Sequence, residues 1–208
     1  MTAEHPLTHV VLASASPRRL ELLRSLGLSV ETIASGYDEP HLEGVGPERL
    51  ATVHAREKLR SALAQPGREQ PGVPMVAADT VVDLAGKALG KPRDAADAVR
   101  MLRLLSGREH RVHTAFALFA PGKPRPIEEI STTRVRFYRL DDGEIDAYVA
   151  TGEPLDKAGA YGIQGRAASL VESIDGDFYT VMGFPLARFV RTLRRLGFSL
   201  PVAKPTAP

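Results

Sequence analysis

The sequence predicts an α/β domain, a mixed and twisted sheet with flanking helices. Up to Gly107, short apolar strands alternate with helical stretches that each keep one apolar stripe. Residues 109–119 and 127–139 then read as two long strands, joined by Pro121-Gly-Lys-Pro-Arg-Pro126 as a hairpin. At 208 residues the chain suits one domain over residues 1–200, with 201–208 as a frayed tail.

The elements follow in order. His9–Ala13 is an apolar strand, and Ser14-Ala-Ser-Pro-Arg-Arg19 turns it into a helix. Ser16 is the expected cap, Pro17 suits the first helical position, and Gly27 closes the helix. Ser29–Ala34 alternates as a strand, and 35–46 has loop chemistry. Pro47 starts a helix to about Gln65, with Ala51, Ala55, Leu59, Ala62 and Leu63 on its apolar stripe. Pro66–Pro74 is a loop before the strand Met75–Leu84, and Gly86–Gly90 is a turn. Asp94 caps a helix with Ala98, Leu102 and Leu105 on its inner side, closed by Gly107. After the hairpin come a short helix from Asp141 to Ala150, irregular chain from Thr151 to Arg166, a strand Ala167–Ile174 and an amphipathic helix Pro185–Leu196.

Composition excludes several function classes. A formal net charge of +2 gives no general attraction to nucleic acid or an anionic membrane, so neither is expected as a partner. The chain has no cysteine, which removes disulfides, thiolate catalysis and Cys-ligated zinc. The start MTAEHPLTH lacks a basic segment followed by an apolar core, and no apolar run approaches a membrane span of ~20 residues. A soluble, cytoplasmic protein is expected.

Charged residues in unusual places carry the chemistry. Arg18 and Arg19 occupy the first turn of a helix, where the dipole is positive and N–H groups lack partners. A solvated surface pair is the plain alternative. A phosphate would accept those N–H groups and both guanidinium forks, with hydroxyls from Ser14 and Ser16. Asp79 stands inside the apolar run MVAADTVVDL, either as a strand-end turn residue or as a carboxylate at a ligand-binding strand end. In a regular strand Thr80 faces the opposite way and Asp83 shares the Asp79 face. Lys58 on the second helix and Lys91 on the stiffened turn Gly90-Lys-Pro-Arg93 are further cations, and Asp38-Glu39 is an acidic loop pair suited to a hard metal. His110 and His113 are three apart in a strand, face opposite ways and read as structural.

The run Asp156-Lys-Ala-Gly-Ala-Tyr-Gly-Ile-Gln-Gly165 spaces three glycines by three, which permits close backbone approach. It is either a flexible surface loop or a reader of a base. The Gln164 amide offers a donor and an acceptor, matching uracil or thymine; a flipped amide matches cytosine, whereas guanine asks for a carboxylate.

Together these pieces resemble the Maf family of nucleoside triphosphate pyrophosphatases. LASASPRRLELL, AREK, AADTVV, GKPRDAADAVRMLRLLSG, DKAGAYGIQG and VMGFPL occur in that order from Val11 to about Leu186. The resemblance implies an inosine-triphosphatase-like fold with two lobes around a central cleft, commonly dimeric. It implies metal-dependent hydrolysis of a nucleoside triphosphate to the monophosphate and pyrophosphate, with Mg²⁺ or Mn²⁺ as cofactor. By that resemblance Asp79 is the proton acceptor and a metal-side residue, and Ser14, Arg18, Arg19, Lys58 and Lys91 lie on the phosphate side. Arg18, Thr80 and Gln164 match positions of substrate choice, and Gln164, with Lys157 and Tyr161 nearby, is expected to close over the base. Glu39, or Asp38 in its place, is the second metal-side carboxylate. GIQG is similar to the branch acting on dTTP and UTP. The rival reading is a nucleotide-binding regulator of septum formation that acts without turnover.

Overall fold

The computed structural model describes residues 5–40, 42–68 and 73–201. Residues 69–72 of the Pro66–Pro74 loop and 202–208 of the expected tail lie outside the described residues. In chain order the elements are β1 (His5–Pro6), β2 (His9–Ala13), α1 (Pro17–Arg24), β3 (Ser29–Ile33), α2 (Pro47–Leu63), β4 (Met75–Leu84), β5 (Lys87–Leu89) and α3 (Ala95–Leu105). They continue with β6 (Glu109–Phe119), β7 (Ile127–Phe137), α4 (Asp142–Val149), β8 (Val171–Asp175), α5 (Phe178–Met182), α6 (Leu186–Arg195) and β9 (Phe198–Ser199).

The main sheet runs β3-β2-β4-β6-β7-β8, with β5 also paired to β4. β3, β2 and β4 are parallel, whereas β6, β7 and β8 join antiparallel, so the sheet is mixed as expected. β1 and β9 form a separate parallel pair. Alternation along β4 assigns the faces. Met75, Ala77 and Val81 pack under α2 with Ala51, Ala55 and Leu59. Val76 and Ala78 turn to the other face, against Leu22 and Leu23 of α1 and Phe189 and Leu193 of α6. Farther along that face, Val82 joins Leu102 and Leu105 of α3 and Ile145 of α4.

Local signals account for most helix ends. The Asp94 carboxylate accepts from the Asp97 N–H at 2.8 Å, and Asp141 with Glu144 forms a capping box on α4. Ser16 does occupy the N-cap of α1, but its hydroxyl makes no capping bond. Its own N–H donates instead to Ser14 Oγ at 3.2 Å. The turn expected at Gly86–Gly90 contains β5, a short return strand. The strand expected from Ala167 begins only at Val171, because Gly165–Leu170 is a 3-10 turn. Among the described residues no helix is long and apolar enough to cross a membrane.

Candidate active site

The site grows from a gap in the sheet. β2 pairs with β4 only at Val11–Met75 and Leu12–Val76 before it leaves the sheet at Ala13. β5 takes that edge again at Val82–Leu89. Between them, among the described residues, the β4 edge from Ala77 to Val81 has no strand beside it. Asp79 and Thr80 stand at this opening and point to opposite faces. The turn Ser14–Ser16 brings the start of α1 to the carboxyl end of β2, the place where open α/β sheets present ligand sites.

On the α2 face, Lys58 and Asp79 are only 6% and 5% exposed. The Lys58 ammonium donates to Asp79 Oδ1 at 2.6 Å and pairs with Glu39 Oε1 at the same distance. Partial burial alone would raise the Glu39 carboxyl. Lys58 outweighs it, with Lys91 and His54 adding to the effect, and holds Glu39 below the usual carboxylate range. The loop that carries Glu39 is anchored one turn earlier on α2, where buried His54 meets the Tyr37 hydroxyl through Nδ1 at 3.1 Å.

On the opposite face Arg19 is drawn inward. Its Nε–H donates to the Gly183 carbonyl at 2.9 Å, and its terminal nitrogens donate to Ser14 Oγ at 3.3 Å and Thr80 Oγ1 at 3.1 Å. Burial pushes its guanidinium below its ordinary range, although the carboxylates of Asp79 and Glu39 act against that. The direction of the next bonds is forced. A guanidinium only donates and a carbonyl only accepts, and Thr114 Oγ1 donates to the Thr180 carbonyl at 2.7 Å. Thr80 therefore accepts from Arg19 and donates to Thr114 Oγ1, 3.0 Å away. A polarised chain thus runs from Arg19 through Thr80 and Thr114 to α5.

Arg18 takes a different course and pairs with Asp156 Oδ2 at 3.3 Å. Asp156 also holds the Lys157 ammonium at 2.6 Å. The N–H groups of Arg18 and Arg19 have no acceptor among the described residues, which leaves the first turn of α1 open to an anion. The glycine run is a set of close approaches. A Cβ on Gly159 would stand 3.0 Å from Val82 side-chain atoms, and one on Gly162 would stand 3.0 Å from the Lys157 stem. The Gly159 N–H donates to the Gly90 carbonyl at 3.0 Å, which ties this loop to the turn carrying Lys91.

Most sequence-predicted residues therefore meet, but in two groups. Lys58, Asp79 and Glu39 form one; Ser14, Arg19 and Thr80 form the other. Lys91 is exposed yet close enough to act on Glu39. Asp38 is exposed and makes no contact with Lys58 or Asp79 among the described residues, so Glu39 is the carboxylate beside Asp79. Gln164 is exposed at the end of the glycine run and touches none of these groups. Tyr161 is buried away from solvent, its hydroxyl 2.6 Å from His110 Nε2, so it builds the core under the loop rather than its outer surface. Asp83 does share the Asp79 face, but it is spent on His113 Nε2 at 3.2 Å and the Gly86 N–H at 2.7 Å.

Sequence reasoning missed Thr114, His54, Tyr37 and the Gly183 carbonyl. Thr114 had one visible signal, a lone hydroxyl in the apolar run of β6. A divalent cation can be tested against the donor set. Among the described residues no three His, Cys, Asp or Glu gather as a metal cage. The two converging carboxylates, bridged by a lysine ammonium standing in as the cation, still fit a hard ion that takes its other ligands from phosphate and water.

Known proteins resemble this chain along nearly its whole length. A protein of Geobacter sulfurreducens called dTTP/UTP pyrophosphatase is 50% identical over 188 residues, 90% of this chain and 96% of its own. Proteins of that name from Anaeromyxobacter dehalogenans and Thermococcus gammatolerans are 48% and 47% identical, covering 94% and 92% of this chain and 98% of each relative. The Ham1 protein of Staphylococcus aureus aligns in structure with a TM-score of 0.42 at 15% identity, covering 62% of this chain and 72% of that one. The family described as Maf-like protein matches residues 9–196. The chain belongs to the family of Maf-like proteins.

Proposed function

We infer that this chain is a nucleoside triphosphate pyrophosphatase that hydrolyses dTTP and UTP to the monophosphate and pyrophosphate. The observation that carries this is the convergence of two charge clusters on the open edge of β4. Asp79 with Lys58 and Glu39 lies on one face, and Arg19 with Ser14 and Thr80 lies on the other. A triphosphate laid across that edge meets cations on both sides, and its negative charge finds the free N–H groups of α1.

Asp79 Oδ1 is held by Lys58, and Oδ2 has no hydrogen bond among the described residues. In this reading Oδ2 takes the proton as water attacks at the α–β linkage, and the bridging oxygen leaves with the pyrophosphate. Lys58, fixed between Asp79 and Glu39, holds both carboxylates in place and offers its charge to the phosphates. Arg18, Arg19 and Lys91 grip the phosphate chain, and positioning with charge neutralisation supplies most of the rate. Asp79 and Glu39 are the residues that would hold Mg²⁺ or Mn²⁺, which when bound neutralises phosphate charge and makes water more acidic. Gln164 reads the base through the donor–acceptor edge shared by uracil and thymine. The family resemblance supports a cytoplasmic homodimer.

Hydrolysis in ¹⁸O-labelled water tests this assignment. Label is expected in the monophosphate and not in pyrophosphate, with no orthophosphate formed and no turnover in EDTA. Orthophosphate as the first product would overturn it.

A further inference from the structure

A second cationic feature lies on the far side of α5 from Arg19. α6 carries Arg188, Arg191, Arg194 and Arg195, while Leu186, Phe189, Thr192 and Leu193 are buried beneath it. With Glu129 and Ser131 of β7, and with Asp177 and Pro185, these arginines wall a concavity of about 630 Å³. That volume falls in the range of small-molecule sites, roughly 300–1,000 Å³.

The charges within it do not cancel. Glu129 takes Arg188 at 3.2 Å, takes Arg195, and accepts from Thr192 Oγ1 at 3.3 Å. Asp177 is spent on α5, where its Oδ2 accepts from the Thr180 N–H at 2.8 Å and the Thr180 hydroxyl at 2.7 Å. Arg191 and Arg194 are exposed and have no carboxylate partner among the described residues. With its one proton given to Asp177, the Thr180 hydroxyl accepts from Ser131 Oγ–H, 2.8 Å away, so this hydroxyl pair is satisfied. Two guanidinium forks therefore face the same space without a carboxylate partner, and planar forks match phosphate oxygens in pairs. Among the described residues no aromatic ring lines the space to stack a base.

We propose that the α6 groove is a second anion site that takes a small polyphosphate, pyrophosphate or the phosphate tail of a nucleotide, separate from the Asp79 site. α5 separates the two: Asp177 at its start lines the groove, and the Gly183 carbonyl just past its end binds Arg19.

Calorimetric titration with pyrophosphate, and separately with UMP and inorganic phosphate, tests this on the full chain. The wild-type protein is expected to bind pyrophosphate at two sites. Arg191→Ala with Arg194→Ala should weaken one of them by at least about tenfold and leave hydrolysis of dTTP and UTP unchanged. Arg18→Ala with Lys91→Ala should weaken only the other. Tighter binding of pyrophosphate than of UMP or phosphate identifies a diphosphate as the preferred guest. Identical pyrophosphate titrations for wild type and the α6 double variant would overturn the proposal. So would a change in oligomeric state of that variant with pyrophosphate binding intact, since the groove would then be a contact between copies. Neither outcome depends on whether the Asp79 site hydrolyses nucleotides.

Discussion

Replacing Thr114 by valine removes a hydroxyl while keeping shape, and it cuts the chain that runs from Arg19 to α5. Thr114 is fully buried and lies opposite Thr80 on one side and Ser131 on the other. The Thr180 carbonyl would lose the donor now 2.7 Å away, at a cost of about 1–3 kcal/mol for an unsatisfied buried acceptor. Thr80 is half-buried and can turn its hydroxyl toward solvent, so its loss is smaller, ~0.5–1.5 kcal/mol. The added methyl returns about 0.8 kcal/mol. A net destabilisation of about 2 kcal/mol lowers Tm by roughly 4–8 °C for a domain of this size. The kinetic effect distinguishes this account from a general loss of stability. Without its acceptor partner Thr80 no longer fixes the Arg19 fork, so KM for dTTP and UTP should rise about tenfold while kcat falls less. Thr114→Ser keeps the hydroxyl and should restore KM. Calorimetry and steady-state pyrophosphate release measure both effects. A lowered Tm with KM unchanged, or a serine variant no better than valine, would refute the relay.

Lys58→Met leaves the buried Asp79 carboxylate without its ammonium partner, a change that costs about 3–5 kcal/mol when a buried pair is broken. Mg²⁺ should raise the Tm of this variant more than that of wild type, read by scanning calorimetry; equal shifts would remove Asp79 and Glu39 as cation ligands. Gln164→Glu replaces a donor–acceptor edge by acceptors alone and should reduce kcat/KM for dTTP and UTP by tenfold or more, about 1.4 kcal/mol. An unchanged ranking in a nucleotide screen would leave Gln164 without a reading role. Burial pushes His110 down from 6.5 to about 4, so the unfolded chain takes up the proton first as pH falls. That contribution to stability is present above pH 6.5 and is lost between there and pH 4, by up to roughly 3 kcal/mol. Urea titrations should show this decline, and His110→Phe should flatten it.

The parts of the fold that sequence could reach are those fixed by neighbours in the chain. Asp94 and the Asp141–Glu144 box specify helix starts within four residues, and the strand read over 109–119 matched β6 end to end. What escaped depends on partners far away in sequence. β1 exists because His5 and Pro6 meet Phe198 and Ser199. β5 hides in a glycine-bounded turn because only its pairing to β4 makes it a strand. α5 is too short for a periodic pattern, and the few apolar positions in Ala167–Ile174 do not distinguish a 3-10 turn from an extended strand.

The candidate site divides in the same way. Asp79 was visible as a carboxylate in an apolar strand, and its opposite orientation to Thr80 followed from the pleat. The divergence of Arg18 and Arg19 was not visible, since successive helical side chains point about 100° apart and the sequence does not say which one faces the sheet. Lys58 looked like one cation among several on α2. Its burial against Asp79 and Glu39 follows from how α2 lies over β4.

The central claim is that Asp79, held by Lys58 at the open edge of β4, activates the water that splits the triphosphate. The most direct measurement compares pyrophosphate release from dTTP and UTP by wild type and Asp79→Asn, with circular dichroism confirming the fold of both. The account predicts one pyrophosphate and one monophosphate per nucleotide from wild type and a loss of at least about a hundredfold in the folded variant. Turnover in Asp79→Asn within a few-fold of wild type would contradict it.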